Sequence, residues 1–272
     1  MLLNTFETEM KYLKNILGSY LFFIGMLGLL WPGCVADKNG QSELKAKAVK
    51  AEALKILPER YNVAFLVMNG VFNTELTAPY DVFQHTQYRE NIKSMNVFTV
   101  ANTNDYIRTF EGLHIKPDYN YLEDDLPNID ILVVPSAEHH IDTDLKDTAM
   151  IAWVKDIGQK AMFVTSHCDG AFVLAQAGLL NGIACTTFPA DIKSFKESFP
   201  SIRIYENVVL VHDKNVITSS GGAKSFDAAL YLIQLLYGKA VTDKIAKGLV
   251  IDWDLNDVKK VVVHQGNGYS TL

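Results

Sequence analysis

Residues 165–172 read TSHCDGAF and lie where one apolar run stops and another begins. Ser166-x-Cys168-x-Gly170 is a variant of the G-x-S-x-G elbow, in which a reactive side chain rides a sharp strand-to-helix turn and small neighbours prevent a clash. The backbone at Cys168 would open a helix running to Leu180. Its sulfur would then lie near unpaired N–H groups and the positive end of that helix, and both favour a thiolate. A lone cysteine is more often buried and inert, but here Ser166 and Gly170 supply the small residues that an elbow requires. Cys185, in GIACTTF, has no such setting and reads as core.

Other titratable residues can be weighed around that sulfur. Glu75, in FNTELTAP, falls in the loop after the first apolar run. A partly buried carboxyl tends to hold its proton and can then donate to a thiolate or carry a proton to and from substrate. The plain alternative is an acid at a helix start. Asp169 also has two readings. As the first helical residue it suits the helix dipole; beside a thiolate it raises the sulfur pKa by repulsion or serves as an acid/base. His139 and His140 occupy a third loop, where imidazole could act as a general base or simply face solvent. No HExxH or H-x-x-x-H spacing accompanies them, so no metal site is expected. His167 alternates to the other side of its strand and should pack against a neighbouring segment. ITSSGGAKSF places two glycines between a strand and a helix without G-x-G-x-x-G spacing, which reads as a tight turn rather than an anion site.

The elements that must position these residues follow from short apolar runs at 63–68, 97–100, 129–135, 162–165, 208–211 and 216–218. Their length and their Gly, Pro, Asn and Asp boundaries predict buried strands. Helical patterns alternate with them: APYDVFQHTQY; DTDLKDTAMIAWVKDIGQK, with Leu145, Ile151, Val154 and Ile157 at helical spacing after an Asp/Thr cap; DGAFVLAQAGLL; and SFDAALYLIQLLYG. Alternation of this kind predicts an α/β fold with a mostly parallel sheet and helices on both faces. Ligands bind at the carboxyl ends of such strands. The segments MNGVFNTELTAPY, VVPSAEHH, TSHCDGA and TSSGGAKSF should therefore converge on one edge.

The 272 residues are 49 % hydrophobic and 21 % charged, enough for a substantial core. A net charge of -6, with no Lys/Arg stripe, argues against nucleic-acid binding. Three cysteines without C-x-x-C spacing suggest neither a disulfide framework nor zinc. At the N-terminus, Lys11 and Lys14 precede the uncharged ILGSYLFFIGMLGLLW, and PGCVADKNG follows. A basic region, an apolar region and small residues in that order make a secretory signal, and Met10 opens a better basic region than Met1. Gly33-Cys34 resembles the end of a bacterial lipoprotein signal, with Cys34 lipidated after cleavage; an uncleaved anchor is the alternative. The chain thus divides into a signal or anchor (1–34), a polar tether (35–60), a folded domain (61–250) and a C-terminal extension (251–272). The expected location is the bacterial cell envelope, membrane-anchored, with the domain outside the cytoplasm.

Four motifs resemble the ThiJ/PfpI superfamily, whose domain is similar to class I glutamine amidotransferases. They are GVFNTELTAPYDVF, EGLHIKPDYNYLEDDLPNIDILVVP, HCDGAFVLAQAGLLNGIACTT and NVITSSGGAKSFDAALYLIQLLYG, in order across residues 61–250. The nearest branch contains isonitrile hydratases and the amidotransferase-like domains of certain transcription regulators. The resemblance implies a flavodoxin-like three-layer sandwich, with Cys168 as the reactive cysteine and Glu75 as its acidic partner. It also implies oxyanion donors in the backbone N–H groups of Asp169 and Ala137. The expected activity is hydration or hydrolysis of a small electrophile (an isonitrile, an α-oxoaldehyde or an amide-like group), without metal or organic cofactor, and a homodimer is left open. The alternative is a non-catalytic redox sensor or ligand-binding protein using the same thiol. Three departures stand out. VPSA replaces VPGG, Phe188 stands where many relatives have histidine, and Asp169 follows the cysteine where His, Ala or Thr is commoner. A Cys-His-acid triad is not evident.

Overall fold

The computed structural model describes residues 54–265. The basic and apolar N-terminal regions, Cys34 and most of the polar tether lie outside the described residues. Among those described, no helix is long and apolar enough to cross a membrane.

The strands are β1 (Tyr61–Leu66), β2 (Met95–Ala101), β3 (Ile107–Arg108), β4 (His114–Ile115), β5 (Tyr119–Asn120), β6 (Ile131–Val134), β7 (Phe163–His167), β8 (Leu210–Lys214), β9 (Val216–Ser219) and β10 (Lys260–Gln265). The α-helices are α1 (Asn73–Gln84), α2 (Thr148–Lys160), α3 (Gly170–Gln176), α4 (Ile192–Ser198), α5 (Ser225–Tyr237) and α6 (Lys239–Gly248). One eight-stranded sheet runs in the order β10-β8-β9-β7-β6-β1-β2-β5, and β3 and β4 form a separate two-stranded ribbon. All neighbours in the large sheet are parallel except β8 and β9, a hairpin whose turn carries Lys214 at φ 57°.

The sheet has a helical layer on each face, as the α/β pattern predicted. One apolar cluster joins β1, β2 and β7 side chains to Leu76, Val82 and Phe83 of α1, Leu230 and Ile233 of α5 and Ile245 of α6. The other joins Leu66, Leu132 and Val164 to Val154 of α2, Phe172 and Leu174 of α3 and Phe195 of α4. Alternate residues of one strand feed opposite layers, which explains why Phe163 and Val164 of β7 belong to different clusters. Buried on both faces, the central strands read as unbroken apolar runs.

The predicted strands and helices all form, with shifted ends. α2 starts on an Asp147 cap whose Oδ1 accepts from the N–H groups of Ala149 (3.1 Å) and Met150 (3.0 Å). Two differences bear on the site. α1 begins at Asn73, so Glu75 lies in its first turn rather than in a preceding loop. Pro79 sits inside this helix instead of near its start; it cannot offer an N–H to the Glu75 carbonyl, which leaves that turn without one helical bond. α3 spans only 7 residues and stops well before Leu180, because Gly178 adopts φ +76° and ends it.

Beyond residue 250, β10 adds a strand in parallel register with β8. At the other end of the sheet, β5 pairs with only Val100 and Ala101 of β2. Strands β9, β7, β6 and β1 are consecutive neighbours in the middle, so the four segments expected to converge leave the sheet side by side.

Candidate active site

Cys168 follows β7 directly and holds φ +54°, the left-handed conformation that an L-residue adopts at a cost of about 1–3 kcal/mol. Three contacts over-determine it. Its N–H donates to the Ser219 carbonyl of β9 at 3.0 Å. Gly170 lies against β6, where a β-carbon would come within 2.1 Å of the Val134 carbonyl oxygen. Gly221 lies against the cysteine itself, where a β-carbon would come within 2.3 Å of Cys168 Cβ. The elbow expected from Ser166-x-Cys168-x-Gly170 is therefore present. The glycine pair read as a tight turn is such a turn, and it has a further task. Gly222 N–H donates to Glu75 Oε1 at 2.8 Å, which ties the carboxyl group of α1 to the turn that backs the cysteine.

Cys168 is 6 % exposed, and its thiol donates to Asp169 Oδ2 at 3.6 Å. Burial pushes the thiol pKa well above its ordinary value, and the Asp169 charge adds to the rise. Ser136 offsets part of it, the Glu75 charge adds a little more, and the Asp169 N–H offsets a little. An ionised sulfur was expected from the helix end alone. The correction has a physical cause: α3 is one short helix, while desolvation and two nearby carboxyl groups all oppose a negative charge.

Asp169 makes no capping bond at the start of α3. Its Oδ1 instead accepts from Thr187 Oγ1 at 3.0 Å, and the same hydroxyl lies 3.0 Å from the Cys168 carbonyl oxygen. Burial first, and then the Asp191 charge, raise the Asp169 pKa from 3.8 to about 6, against the Thr187 and Cys168 hydrogen bonds. This carboxyl group can accept or release a proton near neutrality. Thr187 escaped the sequence reading, although it stands beside Phe188 in TTFP. Phe188 is 40 % exposed, while the buried threonine next to it reaches the elbow.

The loop after β6 differs from expectation. His140 is 1 % exposed, and burial holds its pKa down at about 3, so the ring is neutral at ordinary pH. Its Nδ1 accepts from the Ala137 N–H at 3.2 Å, and its Nε2 lies 3.2 Å from Met68 Sδ. The Ala137 N–H, expected to serve as an oxyanion donor, is thus directed at a histidine. His139 is exposed, and its Nδ1 lies 3.4 Å from Asp142 Oδ1. His167 pairs through Nδ1 with Ser219 Oγ on the neighbouring strand at 3.0 Å. Cys185 is fully buried. Among the described residues, no three His, Cys, Asp or Glu side chains gather as metal ligands.

Residues 61–235 match the DJ-1/PfpI family. The chain is 29 % identical over 176 residues to isonitrile hydratase of Pseudomonas putida, covering 65 % of this chain and 72 % of that protein. It is also 29 % identical over 103 residues to the HTH-type transcriptional regulator CdhR of Pseudomonas aeruginosa, covering 38 % of this chain and only 30 % of the regulator. Among solved structures, a ThiJ/PfpI family protein from Pseudomonas syringae superposes with a TM-score of 0.63 at 22 % identity, covering 84 % of each chain. DJ-1beta of Drosophila melanogaster gives 0.60 at 19 % identity, covering 71 % of this chain and all of that one. These structural likenesses show the fold.

Two outcomes follow from the packing and charge of the elbow. Gly221→Ala must place a β-carbon against Cys168 at φ +78° and ψ −161°, and should cost about 3 kcal/mol or more in urea denaturation. Gly222→Ala has open space and should cost only about 1–2 kcal/mol; equal losses would remove the close approach as the reason for Gly221. Asp169 binds its proton more tightly folded than unfolded, so its contribution to stability is greatest at low pH. That contribution is lost as pH rises from about 4 to about 6. The urea midpoint of Asp169→Asn should therefore gain on wild type between about pH 4 and pH 7, and a constant difference would contradict the raised pKa.

Proposed function

The chain belongs to the DJ-1/PfpI family, and from that premise we propose that it is a cysteine-dependent enzyme that hydrates or hydrolyses a small electrophile. Isonitriles head the candidate substrates, followed by α-oxoaldehydes and amide-like groups. The observation that carries this reading is the Cys168 thiol donating to Asp169, a carboxyl group whose pKa of about 6 suits proton transfer. The identity to isonitrile hydratase over most of the domain supports the same chemistry.

The steps balance without a cofactor. The S–H bond breaks as its proton passes to Asp169 Oδ2, and the sulfur forms a bond to the electrophilic carbon. Asp169 returns the proton to the substrate. Water then adds to the same carbon, giving one proton to the substrate nitrogen, while Glu75 relays the other to the departing sulfur as the C–S bond breaks, which restores the thiol and releases product. For an isonitrile the sum is one water added to give an N-substituted formamide. The Asp169 N–H stabilises charge that develops beside the elbow. Gly222, by holding Glu75 Oε1, keeps the second carboxyl group in place for the later step.

A second reading is a ligand-binding or redox-sensing protein without turnover. The match to part of a transcription regulator supports it. We also infer that residues 1–34, with Cys34 lipidated, and the polar tether 35–60 hold the domain at the bacterial cell envelope; residues 1–53 lie outside the described residues.

A panel of isonitriles, methylglyoxal and amides decides between the first two readings. Turnover should fall to background in Cys168→Ser and by about 10²–10⁴-fold in Asp169→Asn. Full activity in Cys168→Ser would remove the nucleophile. No turnover by wild type, together with selective peroxide oxidation of Cys168, would favour the sensor. For the tether, fractionation of cells should find wild type with membranes and Cys34→Ala depleted from them, and equal partitioning of the two would exclude lipidation at Cys34.

A further inference from the structure

Ser136 is the residue at which this chain departs from the glycine of VPGG, and its surroundings show a use for the added hydroxyl. The residue is 0 % exposed, yet its Oγ has no hydrogen-bond partner. Leaving a buried hydroxyl unpaired is unfavourable, so a partner is expected in some state of the protein. The parallel register pairs Val134 with Ser166. Just beyond that pair, Gly170 of the elbow abuts Val134 and Pro135, where a β-carbon would come within 3.1 Å of the Pro135 carbonyl oxygen, so Ser136 follows directly from backbone packed against the elbow. The sulfur is also the group on which the Ser136 hydroxyl acts, favouring its ionised form. In the protonated state the thiol is itself a donor, aimed at Asp169 Oδ2. It then offers Ser136 little to accept a hydrogen bond, which explains why the hydroxyl stands unpaired.

We propose that Ser136 is a positioning residue whose hydroxyl donates to the Cys168 sulfur once its proton has moved to Asp169. The inference deepens the reading of Cys168 as a nucleophile and rests on it. It also accounts for the Ala137 N–H: with that donor directed at His140, a side-chain donor from the preceding residue replaces it at the cleft. The charged groups facing the sulfur are otherwise unhelpful to a thiolate. Glu75 from α1 and Asp169 on the elbow both oppose it, and Asp191 acts on Asp169. The β9–α5 turn brings Gly221 and Gly222 to the site, and its Lys224 is paired with Asp227 at 2.8 Å. His140 and His167 are both buried and held neutral. Ser136 is thus a side chain whose unpaired hydroxyl is left to meet the charge on the sulfur.

The test is the rate of Cys168 alkylation by iodoacetamide in the full chain, followed by mass spectrometry of the Cys168 peptide across a pH series. A hydrogen bond to a charged group corresponds to a shift of about one to two pH units. Ser136→Ala should therefore alkylate about tenfold or more slowly than wild type at every pH below the inflection, and Ser136→Thr should recover most of the rate. Removing the oxygen also opens space beside the sulfur, so a packing role alone predicts faster alkylation. Equal or faster reaction of Ser136→Ala, or no recovery in Ser136→Thr, would overturn the proposal. Ser136→Gly provides the same comparison should the alanine variant not fold. Alkylation needs no substrate, so this outcome is independent of whether isonitriles are turned over.

Discussion

The contact between Gly221 and Cys168 is the constraint on which the site depends. The cysteine turns at φ +54° only because the neighbouring turn contributes no β-carbon, and Gly170 gives the same freedom on the side of β6. These approaches lock three strand ends together. With the Gly222 N–H holding Glu75, a fourth element is drawn in. The sulfur, two carboxyl groups and the Ser136 hydroxyl then occupy one small volume, with little freedom lost on reaching a reactive geometry.

The electrostatics of that volume run against a permanently charged sulfur. Burial and two carboxyl groups keep the thiol protonated, and burial with Asp191 lifts Asp169 towards neutrality. The two effects suit each other. A thiol that resists ionisation thus donates to a carboxyl group that takes a proton near neutrality, so an acceptor for the sulfur's proton is already in place. An exposed thiolate at a long helix end would be reactive towards any oxidant. Here burial and the neighbouring carboxyl groups hold the sulfur in its protonated form.

Much of this was legible in the sequence, for local reasons. The buried central strands announce themselves as apolar runs, and the elbow is legible because its small residues lie within two positions of Cys168. The helix after β6 was legible too, but its cap is Asp147 rather than the Asp/Thr pair before Leu145, which forms a separate short turn. What escaped depends on contacts distant in sequence or on elements too short to carry a period. β3, β4 and β5 have two residues each. Thr187 meets Asp169 across 18 positions, and Gly222 meets Glu75 across 147. His140 reads as a loop histidine until Met68, from another strand end, is seen to cover it. The early end of α3 could have been read from Gly178, and the helix-dipole argument for a thiolate would have weakened accordingly.

The order of the sheet has one more consequence. β9, β7, β6 and β1 lead into the segments that carry Cys168, Asp169, Glu75, Ser136, Gly221 and Gly222, and two further strands shield them on either side: β8 and β10 on one, β2 and β5 on the other. Fraying or lengthening at a margin must pass through two intact ladders before it disturbs the elbow. The margins are therefore free to diverge, to acquire extra segments or to meet other molecules, while the chemistry in the middle stays mechanically insulated from whatever happens there.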